Sequence, residues 1–135
     1  MELINKINQI LLVGLCGIIF SCSELFLTEM KIIDCVDNEI ECSYSKHIQP
    51  IFISKCILCH EDASNNNGNL SLSSYANTLS GGDSGSPINS NLENSLLYNK
   101  ITGSQAEGLQ MPPSELMNQK NINIIAKWIL EGANE

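Results

Sequence analysis

The stretch Cys56-Ile57-Leu58-Cys59-His60 sets two thiols three positions apart and an imidazole directly after the second, in a chain with only two histidines. Three chemistries use thiols so spaced. A redox dithiol lowers one thiol's pKa at a helix N-terminus. Here Cys56 closes an apolar stripe, and no alternation of strand and helix patterns surrounds it. A structural zinc site needs four ligands, usually as two close pairs. The second pair would have to be Cys35 and Cys42, at the unusual spacing of seven. Covalent haem attachment uses all three residues: each thiol adds to one haem vinyl group to give a thioether, and the next imidazole binds iron from the proximal side. With six cysteines and two histidines in 135 residues, chance expects roughly 0.004 such patterns. The residues favour one covalently bound haem c on Cys56, Cys59 and His60, with the redox dithiol and zinc as the alternatives.

An iron held by His60 has one further axial position. Candidates are His47, Met111, Met117, Met30 and the lysines. Met111 stands in Glu107-Gly108-Leu109-Gln110-Met111-Pro112-Pro113. A proline after Met111 keeps it out of the helical region, and two prolines stiffen an extended strap. A thioether at a fixed place would favour the reduced iron and raise the potential. Met111 is therefore the expected second ligand. Met117, just before the last helical pattern, reads as core. His47 precedes the attachment site on the same helix and reads as a surface imidazole if it is not a ligand.

The elements that must position these groups are helical. Ile48, Phe52 and Cys56 form one stripe at i, i+4, i+8, with Pro50 tolerated if the helix starts near Gln49. Glu61 to Asn69 is loop by composition, and Leu70 and Leu72 then alternate with polar residues. A short helix is expected over 74–79, stopped by Gly81-Gly82, and another over 93–101 with Asn91 as cap and Gly103 beyond. The clearest helix runs from Gln119 to Glu131 behind an Asn118 cap, with Ile122, Ile125 and Ile129 on one face and Trp128 beside them. No convincing strand appears. The expected fold class is all-α, with long loops around the haem.

The first residues read as a targeting segment. Ile10 to Phe20 is an eleven-residue apolar run, too short to span a membrane, which takes about twenty. It ends in Ile19-Phe20-Ser21-Cys22, which resembles a bacterial lipobox; ordinary cleavage with a free Cys22 is the alternative. The organisation expected is a lipoprotein signal peptide over 1–21, a flexible tether over 22–43 and a domain over 44–135. Lipidation at Cys22 would anchor the protein in a bacterial cell envelope, facing the periplasm or the exterior. In such an oxidising compartment Cys35 and Cys42 could close a small disulfide loop, the alternative being free thiols or a bridge to another protein. The formal net charge is −8 with no basic stretch, which makes nucleic acid an unsuitable partner and suits a basic docking protein or plain solubility.

These residues resemble a class I c-type cytochrome. CILCH corresponds to its attachment motif, Met111-Pro112-Pro113 to its distal methionine loop, and Phe52 and Trp128 to the aromatic pair of its first and last helices, which cross nearly at right angles. More narrowly, SKHIQPIFISKCILCH, NLSLSSYANTLSGG, NSLLYNKI, and MPP followed by IIAKWILEGA resemble the planctomycete-type cytochrome c domains of exported bacterial proteins. The resemblance implies a one-electron carrier serving redox partner proteins, not an enzyme. A haem enzyme or a gas sensor with a displaceable methionine is the competing function, and a non-redox assembly module is a third.

Overall fold

Pro50 sits in the first turn of helix α1, Gln49–Lys55, where its missing N–H leaves no bond unmade. The computed structural model describes residues 34–135, and the leader, Cys16, Cys22 and Met30 lie outside them. The chain enters α1 through a π-helical turn, Tyr44–Ile48, and leaves it into the short α2, Ile57–His60. A 3₁₀ turn at Asn65–Asn67 leads to α3, Tyr75–Ser80. Ser74 caps α3 by accepting the Asn77 N–H at 3.2 Å. Gly81 ends it where the backbone runs so close to the Gly85 carbonyl that no side chain would fit. α4 spans Leu96–Thr102 and α5 spans Gln119–Leu130, the latter capped by Asn118 as expected. No strand occurs among the described residues, so the fold is all-α.

The expected helix over 93–101 is broken. A 3₁₀ turn at Leu92–Asn94 precedes Ser95, which is extended, and α4 starts after it. The break has a cause in hydrogen bonding. The buried Ser95 hydroxyl and the Leu97 N–H both donate to the Pro87 carbonyl, at 3.1 and 2.8 Å, and fasten the preceding loop to the helix start. A continuous helix would leave that buried carbonyl unpaired.

One core joins the elements. Ile48, Ile51 and Phe52 from the first helical segment meet Leu97 and Ile101 from α4 and Ile122, Ile124, Ile125, Trp128 and Ile129 from α5. Phe52 and Trp128 are both fully buried, and they meet through Tyr44, whose ring centroid lies 6.1 Å from Phe52 and 5.9 Å from Trp128. Tyr75 packs on the same ring at 5.4 Å. Such tilted aromatic contacts each contribute about 1 kcal/mol beyond area burial.

Two expectations need correction. The tether was expected to reach residue 43, yet from Asp34 the chain is packed on the domain. Cys35 and Cys42 form a disulfide with Cα atoms 5.3 Å apart, and both are fully buried. The Cys42 N–H donates to Glu131 Oε2 at 2.8 Å, the Tyr44 N–H to the Asn134 carbonyl at 3.0 Å, and Lys120 pairs with Asp34 at 2.8 Å. The acidic residues that read as solvated linker are in part caps and ion-pair partners. Asp34 Oδ1 accepts the N–H groups of Val36 and Asp37 and closes the turn that positions Cys35. The second correction is His47, expected on the surface. It is 2% exposed, and its Nδ1 accepts the Ser43 N–H at 2.9 Å. It falls at helical spacing on the buried stripe of Tyr44, Ile48 and Ile51, so it shares their face.

Candidate functional site

The first thiol rides on the last turn of α1: the Cys56 N–H donates to the Phe52 carbonyl at 2.8 Å. The chain kinks at Cys56, with φ −125° and ψ −39°. The Cys56 carbonyl then accepts from the N–H groups of Cys59 and His60, at 3.1 and 2.9 Å. One helical turn thereby carries both thiols and the imidazole. Cys56 packs half-buried against the core, Cys59 is exposed, and neither is bonded to another cysteine.

His60 is held from behind. Its Nδ1 lies 3.0 Å from the Leu70 carbonyl. A carbonyl can only accept, so the tautomer this contact requires carries its hydrogen on Nδ1 and leaves the Nε2 lone pair free for a metal. The same segment grips the site twice more. The Leu72 N–H donates to the His60 carbonyl at 2.8 Å, and the Ser71 hydroxyl to the Glu61 carbonyl at 2.6 Å. Asn67 Nδ2 donates to the carbonyls of Cys59 and Asp62, both at 2.8 Å. The Tyr44 hydroxyl, in turn, donates to the Leu72 carbonyl at 3.2 Å and ties the segment to the core. Sequence reasoning missed Leu70 as a functional residue because its contribution is a backbone carbonyl. The Leu70/Leu72 alternation was the only signal, and it marked packing.

Met111 lies half-buried on a strap without regular structure between α4 and α5. Its peptide bond to Pro112 is cis. Its N–H donates to the Lys100 carbonyl at 2.9 Å. Past the prolines, Glu115 pairs with Lys55 at 3.2 Å, which brings the strap's exit beside the residue that precedes Cys56. Met117 is buried in the core. His47 contacts Ser43 and lines a cleft with Ile40, Glu41, Lys46, Asn134 and Glu135, apart from this ligand set.

The surroundings of the thiols count against both alternatives. Burial pushes the Cys56 thiol up to about 11, the opposite of what a redox dithiol requires. Zinc would need a second thiol pair, and Cys35 and Cys42 are consumed in their disulfide. Among the described residues no group of three His, Cys, Asp or Glu side chains is placed to hold a metal ion.

A haem fits the donors present: two unbonded thiols on one turn, an imidazole oriented through Nδ1, and a soft thioether on a strap. It also fits the apolar surroundings. Leu58 is 98% exposed between the two thiols, and Leu109 and Leu116 are 69% and 68% exposed on either side of Met111. Exposed apolar side chains beside the thiols and beside Met111 are each suited by an apolar cover, which a porphyrin would provide.

An all-α chain presenting such a turn has the makings of a c-type cytochrome. Residues 56–115 match the family described as Planctomycete cytochrome C. The match begins at Cys56 and ends at Glu115, so it contains CILCH and the methionine strap, while α1 and α5 lie outside it. A domain of this kind implies covalent haem c, and Cys56 and Cys59 fit its attachment motif. No curated protein and no solved structure matches the chain.

Proposed function

We propose that the chain is a membrane-anchored, mono-haem c-type cytochrome that carries single electrons, with His60 and Met111 as axial ligands. The observation that carries this reading is His60 fixed through Nδ1 on the Leu70 carbonyl, on the same turn as two unbonded thiols. Bound there, the haem supplies a one-electron iron couple. Cys56 and Cys59 hold it through thioethers. The addition of each thiol S–H across a vinyl C=C would consume no oxidant, the sulfur going to one carbon and the hydrogen to the other.

His60 supplies an imidazole whose orientation is the same in both oxidation states, because its other nitrogen is bonded to backbone. Met111 supplies a soft ligand that favours the reduced iron. With both positions filled, no site is left for a substrate or gas, which separates a carrier from a haem enzyme or sensor. Lipidation at Cys22 confines the carrier to a bacterial membrane surface on the periplasmic or outer side, where it meets redox partner proteins. The buried Cys35–Cys42 disulfide supports an oxidising compartment. No helix among the described residues is long and apolar enough to cross a membrane.

The test is to express the full chain with a c-haem maturation system and record ferric and ferrous spectra. A low-spin spectrum with the weak far-red methionine-to-ferric-iron band, lost in Met111→Ala together with a lowered potential and new carbon monoxide binding, is expected. A high-spin wild type that binds carbon monoxide at once would transfer the reading to a haem enzyme or sensor. Fractionating the same cells with Cys22→Ala should find the protein released from membranes; if it stays, the anchor is wrong.

A further inference from the structure

We propose that Lys100 is the positioning residue that locks the Met111 strap. This rests on the reading of Met111 as the distal ligand. A strap without secondary structure cannot hold a sulfur in place by itself, since its backbone groups are free to bond water in many arrangements. Here one residue grips it at three alternate positions. The Lys100 ammonium donates to the carbonyls of Glu107 at 2.7 Å and Leu109 at 3.1 Å. The Lys100 carbonyl accepts the Met111 N–H at 2.9 Å. Side chain and backbone of the same residue thus fix both flanks of Leu109 and the ligand's own amide.

The surroundings are built for this grip. Lys100 belongs to α4, whose Leu97 and Ile101 are buried in the core, so the strap is referenced to the rigid part of the molecule. Gly108 lies between the two gripped carbonyls with φ +71°, and a Cβ there would stand 2.9 Å from Lys100 Nζ. The ammonium occupies space that only glycine leaves open, so a side chain at 108 would displace it. Gln105, with its amide oriented as its neighbours require, donates to the Asn99 carbonyl at 3.0 Å and accepts the Gln110 N–H at 2.9 Å. That adds a parallel tie from the same helix. The Lys55–Glu115 pair at the far end is solvent-exposed and contributes little. Position is therefore set from the Lys100 side. Two carbonyls on a point charge also explain why a lysine serves here: an ammonium can approach both along separate N–H directions.

The experiment uses the haem-loaded full chain with Lys100→Met, which keeps the stem and removes the donors, and Lys100→Arg, which keeps the charge. Two readouts are taken: the rate at which cyanide replaces the methionine on ferric iron, and amide hydrogen exchange at Met111, whose N–H donates to the Lys100 carbonyl. Lys100→Met should raise both by roughly tenfold, the loss expected for freeing such bonds, while exchange at Ile125 and Trp128 stays unchanged. Lys100→Arg should recover most of the effect. Gly108→Ala should act in the same direction as Lys100→Met. Wild-type rates in Lys100→Met, with the far-red band intact, would overturn the proposal alone. If the wild type lacks that band, the ligation reading falls and the proposal with it, whatever the exchange shows.

Discussion

Tyr44 shows how far the attachment turn is from any ligand residue that sets it. Its ring touches Phe52, Tyr75 and Trp128, and its hydroxyl donates to the Leu72 carbonyl. Leu72 in turn accepts nothing from His60 but donates to it, and Leu70 orients the imidazole. Burial raises the Tyr44 phenol above its ordinary value, with Thr78 working the other way. Tyr44→Phe should keep the ring packing and remove the hydroxyl bond, costing about 1 kcal/mol. A denaturant melt would show it, and an unchanged midpoint would mean that the bond is not made in solution. The thiols, His60 and Met111 could be singled out in the sequence because cysteine, histidine and Met-Pro-Pro are rare and chemically distinct there. Tyr44 and Leu70 could not, because a tyrosine in a core and a carbonyl in a loop leave no pattern.

At the scale of elements, the helices with strong periodicity and good caps were legible. α5 shows Ile122, Ile125, Trp128 and Ile129 buried behind the Asn118 cap. What periodicity could not show was long-range pairing: the Pro87 carbonyl that breaks the helix at Ser95, and the acidic segment 34–43 folded back on α5. That segment has two consequences. The disulfide closes a loop of sequence separation seven, and loop-closure entropy gives it about 2 to 3 kcal/mol. Replacing both cysteines by alanine should therefore lower the melting temperature by roughly 10 °C. A melt within a few degrees of wild type would show that the packing alone holds the segment.

The second consequence is pH dependence. The Lys120 ammonium, then the Asp37 and Val36 N–H groups, hold the Asp34 carboxyl well below the usual carboxylate range, against the effect of burial. A carboxyl lowered on folding contributes stability above its unfolded value of about 3.9. That contribution is lost as pH falls below it toward the folded value. Wild type and Asp34→Asn should differ in melting temperature by a constant amount above about pH 5 and converge below about pH 4. A difference that persists undiminished at pH 3 would rule this coupling out.

On the scale of the whole molecule, charge decides which partners can approach the exposed turn. The chain carries −8, and the sequence around the site has the same sign. Glu61, Asp62 and Glu107 are exposed, whereas the nearby cations are engaged, Lys55 with Glu115 and Lys100 with strap carbonyls. Local and overall fields therefore add, and field focusing raises encounter rates with cations while lowering those with anions. The reduced, haem-loaded protein should thus be oxidised by a cationic ruthenium ammine at a rate that falls by about tenfold between low and high salt, as the Debye length shrinks from roughly 30 to 3 Å. With ferricyanide the rate should rise over the same range. The pair of slopes matters more than either one, because salt effects on the haem itself would move both rates in the same direction. Opposite slopes would assign the exchange face to the acidic surroundings of CILCH and the strap, and so call for a basic partner. Slopes near zero with both reagents would place electron exchange away from the attachment turn and its acidic surroundings.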